Sequence, residues 1–280
     1  MLRCLTRYTA RSSRKSWPDH LAGWVMALGL CALMLGCKST GSGEGDGFFD
    51  DAFTSAPSPV EAVAMATDTT DPDRRRQGIL WLSAAPFGGE GVYLELYRLF
   101  HNDPNPNVRA AAARALGLHG TTDDAALLML LVEDEDSFTR WQAANGLRMI
   151  HNLAAVDPLV GRLDPLAEED PNVRCCAADA LGQYPSITVL NSLIVALEDR
   201  DFSVVEAARG SLRTLTGHDA GLDPRAWAAW SSENANNLFD NQQPYTYQPY
   251  IRPRYWVDYI SFWDEIYRDE PPRVPTGLEG

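Results

Sequence analysis

The sequence predicts an all-α protein in which about five helical hairpins stack into an α-solenoid that ends in an aromatic-rich C-terminal cap. Three observations support this fold. A 13-residue segment recurs five times, its fifth positions stand 34, 31, 34 and 31 residues apart, and no stretch of the repeats alternates polar and apolar residues as a strand would. The five segments begin at Asp71, Asn105, Asp136, Asp170 and Asp201.

Each 13-residue segment predicts the first helix of a hairpin. Its first residue is Asp or Asn, which can cap a helix by accepting hydrogen bonds from the unpaired N–H groups of the first turn. Three segments continue with proline, whose missing N–H costs little at the first helical position. A small residue at the eighth position and Leu at the twelfth share one face, so that a neighbouring helix can approach. Second helices are predicted at residues 92–100, 125–132, 156–163 and 189–197.

Four of the five segments carry Arg at the fifth position, and Val205 replaces it in the last. Spaced guanidinium groups could bind anions, but their recurrence with the helix packing favours a structural role. We predict a ladder of Asp and Arg between neighbouring repeats. Its members are Asp71, Arg75, Arg109, Asp136, Arg140, Asp170, Arg174 and Asp201.

The pattern Asp-x-x-Val-Arg-x-x-Ala-Ala-x-x-Leu-Gly stands in residues 170–182, and in residues 105–117 with Asn for Asp. Two other segments depart from it, with Thr139 for Val and Val205 for Arg. The pattern resembles HEAT repeats, particularly the short HEAT-like form also found in phycobilisome lyases, over residues 58–217. The resemblance implies a right-handed α-solenoid, and it is specific for the fold rather than for a function.

The N-terminus is predicted to be a signal for lipid attachment. Residues 1–20 carry five basic side chains and one acid, and the next 15 residues carry no charge. The end of that stretch, Leu33–Cys37, resembles the lipobox of bacterial lipoproteins, which implies acyl chains such as palmitate on Cys37. An ordinary signal peptide that ends near a cysteine is the alternative. We expect cleavage after residues 1–36, a flexible tether over residues 37–57, and a periplasm-facing protein in the bacterial envelope, at the outer membrane.

Aromatic side chains mark the C-terminal part of the chain. A helix predicted after Asp223, with Trp227 and Trp230 on one face, would close the solenoid domain of residues 58–233. Residues 234–268 form a predicted aromatic extension, which could pack on the solenoid or contact a partner or a glycan. Residues 269–280 are predicted to be disordered. The candidate contact residues of the extension are Tyr255, Trp256, Tyr259 and Trp263.

Composition and motifs predict a binding protein without catalysis. The 38 acidic and 24 basic residues give a net charge of −14, which argues against a nucleic-acid partner. The sequence contains no HExxH, G-x-S-x-G, P-loop or dinucleotide motif, so that no catalytic, metal or cofactor residue is predicted. We expect a lipid-anchored scaffold or adaptor whose protein partner carries a basic patch. The alternatives are a lyase- or chaperone-like protein of the phycobilisome-lyase type, and attachment to cell-wall glycan through the aromatic extension.

Overall fold

The computed structural model describes residues 57–248 and 271–278. Within these residues the regular structure is helical, apart from two isolated β-bridges, which confirms the predicted all-α stack of hairpins. Eleven α-helices lie in the described ranges: α1 (Pro59–Ala66), α2 (Pro72–Ala84), α3 (Gly91–Phe100), α4 (Pro106–His119), α5 (Ala125–Val132), α6 (Ser137–Leu147), α7 (Val156–Gly161), α8 (Pro171–Leu181), α9 (Ile187–Ala196), α10 (Phe202–Thr216) and α11 (Pro224–Glu233).

The five repeated segments form the first helices of the hairpins, which are α2, α4, α6, α8 and α10. Each of these helices begins directly after its N-cap residue. The Asp71 carboxylate accepts a hydrogen bond from the N–H of Asp73 at 2.9 Å, and that of Asp136 accepts one from Thr139 at 2.8 Å. These bonds satisfy N–H groups that have no partner within the helix. The equivalent bond is made by Asn105, Asp170 and Asp201.

The first helices pack side by side, with each hairpin covering the apolar face of its neighbour. A small eighth residue permits this close approach. A Cβ atom added to Gly78 in α2 would lie 2.6 Å from the carbonyl oxygen of Ala62 in α1, so that only glycine fits between these helices. The twelfth-position leucines lie at the centre of the core and are fully buried: Leu82, Leu116, Leu147, Leu181 and Leu212.

The second helices α3, α5, α7 and α9 lie where the apolar pattern predicts them, to within two residues at each end. Each of them packs against the first helix of the next hairpin. Short 3-10 turns, Thr122–Asp124 and Leu153–Ala155, lead into α5 and α7. A hairpin therefore buries its apolar side mainly between hairpins, which makes the stack rather than the single hairpin the stable unit.

The last hairpin is closed by α11 and its two tryptophans. Trp227 is fully buried, and its indole N–H donates to the carbonyl oxygen of Gly221 at 2.8 Å. The His218 ring stacks on Trp230 with ring centroids 4.7 Å apart. These contacts bury apolar surface between α11 and the preceding hairpin, so that less of the core is exposed at this end of the stack.

The C-terminal segment corrects one sequence prediction, because residues 271–278 are ordered rather than disordered. Tyr247 and Arg273 exchange two main-chain hydrogen bonds of 2.9 Å, and Thr276 donates to Met149 and accepts from His151, both at 2.8 Å. Met149 and His151 follow the end of α6, where main-chain groups have no helical partner. Main-chain pairing of this kind depends little on side-chain type, so that composition gave no sign of it.

Candidate functional site

The repeat arginines form bidentate ion pairs that join successive hairpins. Arg174 donates from Nε and Nη2 to the two carboxylate oxygens of Asp199, at 2.7 and 3.0 Å. Three further arginines bind an acid in the same way, with N···O distances between 2.6 and 3.0 Å. We call the four pairs the charge ladder: Arg75–Asp103, Arg109–Asp134, Arg140–Glu168 and Arg174–Asp199.

Main-chain bonds connect one pair of the charge ladder to the next. Nη1 of Arg109 donates to the carbonyl oxygen of Asp103 at 3.0 Å, while the Asp103 carboxylate binds Arg75. The same carboxylate also accepts the N–H of the cap residue Asn105 at 2.8 Å. The acid thus contacts the arginines of two successive hairpins and fixes the turn before its own helix. The carbonyl contact recurs between Arg140 and Asp134 and between Arg174 and Glu168.

The charge ladder lies between neighbouring repeats, but its acids are not the predicted ones. The N-cap residues Asp71, Asp136, Asp170 and Asp201 accept bonds from their own first turns. The arginines instead bind acids two residues before the last four caps. This offset is visible in the sequence, where Asp103, Asp134, Glu168 and Asp199 precede Asn105, Asp136, Asp170 and Asp201.

Burial and the neighbouring arginine charges shift the pKa values of the ladder carboxylates in opposite directions. Burial alone would raise the pKa of Asp199, but hydrogen bonds from Arg174 and from the amide of Asp201 outweigh it and hold this pKa below its ordinary value. The pKa values of Asp134 and Glu168 are lowered by the same balance. The arginine charges are therefore compensated inside the fold, which leaves the structural role as the one the geometry supports.

A groove of about 420 Å³ crosses the first helices α2, α4 and α6. We call it the first-helix groove. No acidic side chain of the described residues lines it, although acids outnumber bases 38 to 24 in the chain. Its polar lining residues are Arg76, Ser83, Asn107, Arg114 and Gln142. Its apolar lining residues are Leu80, Ala84, Ala110, Ala111, Leu118 and Phe138.

Gln142 is a buried polar residue of the first-helix groove. It is 6 % exposed, and its carbonyl oxygen Oε1 has no hydrogen-bond partner. Such an unpaired buried acceptor costs about 1–3 kcal/mol. Sequence reasoning missed this residue, although the signal was present: Gln142 occupies the seventh position of its segment, where the neighbouring repeats have the smaller Ala111 and Cys176.

A second hollow of about 260 Å³ adjoins the groove and shares Arg114, Leu118 and Gln142 with it. We call it the polar hollow. Within it, Arg148 forms an ion pair with Asp179 and donates from Nη1 to Oδ1 of Asn145 at 2.8 Å. Tyr247 and Gln248, which follow the last helix, contribute one wall. The other lining residues are Trp141, Asn145, Arg148, Met149, Cys176, Tyr247 and Gln248.

Burial disfavours the thiolate forms of the adjacent cysteines of α8. Burial raises the pKa of Cys175, and it raises that of Cys176 to about 12. Among the described residues, no group of three or more His, Cys, Asp or Glu side chains could hold a metal ion. The polar hollow thus offers hydrogen-bond donors and acceptors together with flat apolar side chains.

Several predicted functional residues lie outside the described residues, and their roles stay predictions. They include the lipid-anchor candidate Cys37. Within residues 57–248 and 271–278, no helix is both long and apolar enough to span a bilayer. The aromatic contact candidates that also lie outside are Tyr255, Trp256, Tyr259 and Trp263.

Comparisons with known proteins agree with this geometry. A family model described as HEAT repeats matches residues 94–167, and none of the curated proteins matches significantly. The complex of CpcE and CpcF of phycocyanin lyase from Nostoc sp. PCC7120 is similar in fold, with a TM-score of 0.52 and 20 % identity over 72 % of this chain and 76 % of that one. The E. coli protein YibA gives a TM-score of 0.46 and 20 % identity over 64 % and 68 %. The family model thus identifies HEAT repeats in residues 94–167, and the fold similarity supports an α-solenoid.

Proposed function

We propose that this protein is a non-catalytic scaffold or adaptor, which binds a partner protein through the first-helix groove and is held at the bacterial envelope by lipid on Cys37. The observation that carries the proposal is the groove itself. Apolar side chains from three first helices line it, among them Leu80, Leu118 and Phe138. Covering such a surface is favourable because water leaves its apolar area.

Exposed aromatic area supports binding at this face. Phe138 lines the groove, is 45 % exposed, and lies 5.5 Å from Trp141 of the polar hollow, measured between ring centroids. Large aromatic side chains are enriched in the buried centres of protein interfaces. The pair therefore provides an anchor for a partner at the junction of groove and hollow.

The predicted basic patch on the partner would meet a different surface. Several acids beside the second helices are well exposed, among them Glu133 and Glu135 after α5. Complementary charge there would speed association and make the affinity salt-dependent. An affinity that does not change between low and physiological salt would contradict this electrostatic contribution.

The partner can be sought with a photo-crosslinking amino acid placed in cells of the native species. Ala84 lines the groove and is exposed, so that the probe fits there without disturbing the core, and exposed Ala126 on α5 is the matched control. We expect one protein, identified by mass spectrometry, to be linked from position 84 and not from position 126. Equal adducts at both positions, or none at position 84, would contradict binding at the groove.

The lipid anchor has its own test. Two or more acyl chains on Cys37 would hold the protein on a bilayer, since each buried CH₂ contributes about 0.8 kcal/mol. We expect metabolic labelling with a palmitate analogue in the wild type, and loss of both label and membrane fractionation in Cys37→Ser. An unlabelled wild type that fractionates away from the membrane would point to the ordinary signal-peptide alternative.

A lyase- or chaperone-like role is the second candidate, favoured by the polar hollow. Trp141, Asn145 and Tyr247 offer flat and polar contacts for a small molecule there, and the fold is similar to that of phycocyanin lyase subunits. The test is absorbance titration with biliverdin, a linear tetrapyrrole. Saturable binding that Asn145→Leu abolishes would favour this candidate, and unchanged spectra would exclude tetrapyrrole binding.

A further inference from the structure

We infer that a cationic, partly apolar segment of a partner protein binds in a second groove, which lies where the second helices α7 and α9 end. This groove has a volume of about 470 Å³, and we call it the second-helix groove. It is a contact surface beyond the first-helix groove of the proposed function. The inference follows from its apolar lining, from its carboxylates without an ion pair and from the state of the bases near it.

Apolar side chains line the second-helix groove, and Val195, in the last turn of α9, is 69 % exposed. Leu99 in α3 and Leu130 in α5 stand at the equivalent position, four residues before an acid of the charge ladder, and are 67 % and 63 % exposed. The repeat thus leaves an apolar side chain exposed at the end of three second helices. Covering it at α9 is favourable because water leaves its surface. The apolar lining residues are Val160, Leu163, Pro165, Val195 and Ala196.

Two exposed carboxylates of the second-helix groove lack a counter-charge in the described part of the chain. Glu198 makes neither an ion pair nor a side-chain hydrogen bond, and the Asp164 carboxylate accepts only the main-chain N–H of Leu166, at 2.8 Å. The third acid, Asp199, is buried and bound by Arg174, so that its charge is compensated. The ten-residue helix α9 also ends at the groove, and the C-terminal end of a helix carries partial negative charge. The lining therefore presents net negative charge to an occupant.

The bases that follow or precede these acids in the chain form no ion pair with them. Arg162, at the end of α7, lies 3.0 Å from Glu133, and its side chain is 17 % exposed, so that its charge is already compensated. Arg200 is exposed and does not line the groove. Among the described residues, no basic side chain lines the second-helix groove, whereas the first-helix groove has bases and no acid. A lysine or arginine of an occupant would thus meet carboxylates without displacing an internal ion pair.

The same charges disfavour two other occupants. An acidic segment would meet like charges at Asp164 and Glu198. A second copy of this chain is a poor match, since acids outnumber bases 38 to 24 in it. Opposite charge at the rim speeds association and selects the partner, while the apolar lining supplies affinity.

The experiment measures the fluorescence anisotropy of three fluorescein-labelled peptides with the full chain. Each peptide has about twelve residues, which is about three helical turns. Pairs of Leu and pairs of Lys alternate in the first peptide, Glu replaces every Lys in the second, and Ser replaces every Leu in the third. We expect the Leu–Lys peptide to bind at least about tenfold more tightly than either of the others at low salt, and its affinity to fall as salt is added.

Matched variants test whether the binding occurs in the second-helix groove. Glu198→Lys should weaken binding of the Leu–Lys peptide about fivefold, whereas Glu90→Lys, at an exposed acid directly before α3, should have no effect. Val195→Ser should weaken binding severalfold because it removes apolar area, whereas Leu99→Ser, at the equivalent position of α3, should not. All four residues are exposed, so that the urea midpoint of each variant should stay near that of the wild type.

The outcomes distinguish the inference from the proposed function. Absent binding of the Leu–Lys peptide, equal binding of the Leu–Glu peptide, or an affinity that Glu198→Lys and Val195→Ser leave unchanged would overturn the inference. A concentration-dependent dimer that Val195→Ser abolishes would assign the groove to a second copy of this chain and would overturn it as well. A crosslink specific to position 84 would still support the proposed function in each case, because that position lies in the first-helix groove.

Discussion

Replacing Arg174 by alanine should destabilise the protein far more than the same change at Arg209, although both residues hold an aspartate by a bidentate contact. Arg174 binds Asp199 at 2.7 and 3.0 Å, and Arg209 binds Asp219 at 3.0 and 2.8 Å. The side chains of the first pair are 1 % and 2 % exposed, and those of the second are 30 % and 36 % exposed. The comparison therefore varies burial while the hydrogen-bond geometry stays nearly constant.

The magnitude follows from what each change leaves behind. Without Arg174, the Asp199 charge is buried and uncompensated, and the carbonyl oxygens of Glu168 and Glu169 lose their donor. Breaking a buried pair in this way costs about 3–5 kcal/mol. Without Arg209, the Asp219 carboxylate regains water, and the loss is about 0.2–1 kcal/mol.

The assay is equilibrium unfolding in urea, followed by far-ultraviolet circular dichroism on the full chain. Comparable free energies of unfolding for Arg174→Ala and Arg209→Ala would refute the reasoning, because they would show that the buried pair is worth no more than the exposed one. The double variant Arg174→Ala with Asp199→Ala provides the control. It should cost less than the sum of its single changes, since both charges leave together.

Three further predictions concern the same stack. The pKa values of Glu168 and the other lowered ladder carboxylates lie below their unfolded values, so that their stabilisation is complete only above about pH 5 and is lost as pH falls through the folded values; the urea midpoint should drop there, and a flat acid profile would count against it. Gly78→Ala should cost about 1–3 kcal/mol by forcing α1 from α2, whereas Gly210→Ala, whose added Cβ meets open space, should gain up to about 1 kcal/mol in the same unfolding assay. Trp227→Ala should cost about 3–5 kcal/mol because the ring is fully buried, and a thermal melt within 2 °C of the wild type, a shift of roughly 1 kcal/mol or less, would contradict this.

Local sequence signals predicted the hairpins well because each signal acts within one turn of helix. The cap residue Asp136 bonds three residues ahead, and the leucine at position 147 belongs to a face that periodicity reveals. The partner of Arg174 was harder to predict, since Asp199 lies 25 residues away and the choice between it and a cap residue depends on how two hairpins meet. The first-helix groove was beyond prediction for the same reason, because its walls come from three helices.

The sequence by itself determined that the chain forms repeated capped hairpins, where the first helix of each hairpin begins, and that a single hairpin could not bury its own apolar face, because these properties depend on spacing along the chain. Only the tertiary structure decided which acids pair with the arginines, that Thr276 returns to the end of α6, and that no acid of the described residues lines the first-helix groove. Those features depend on distances between residues that are far apart in the chain. Such distances are fixed only when neighbouring hairpins pack against each other.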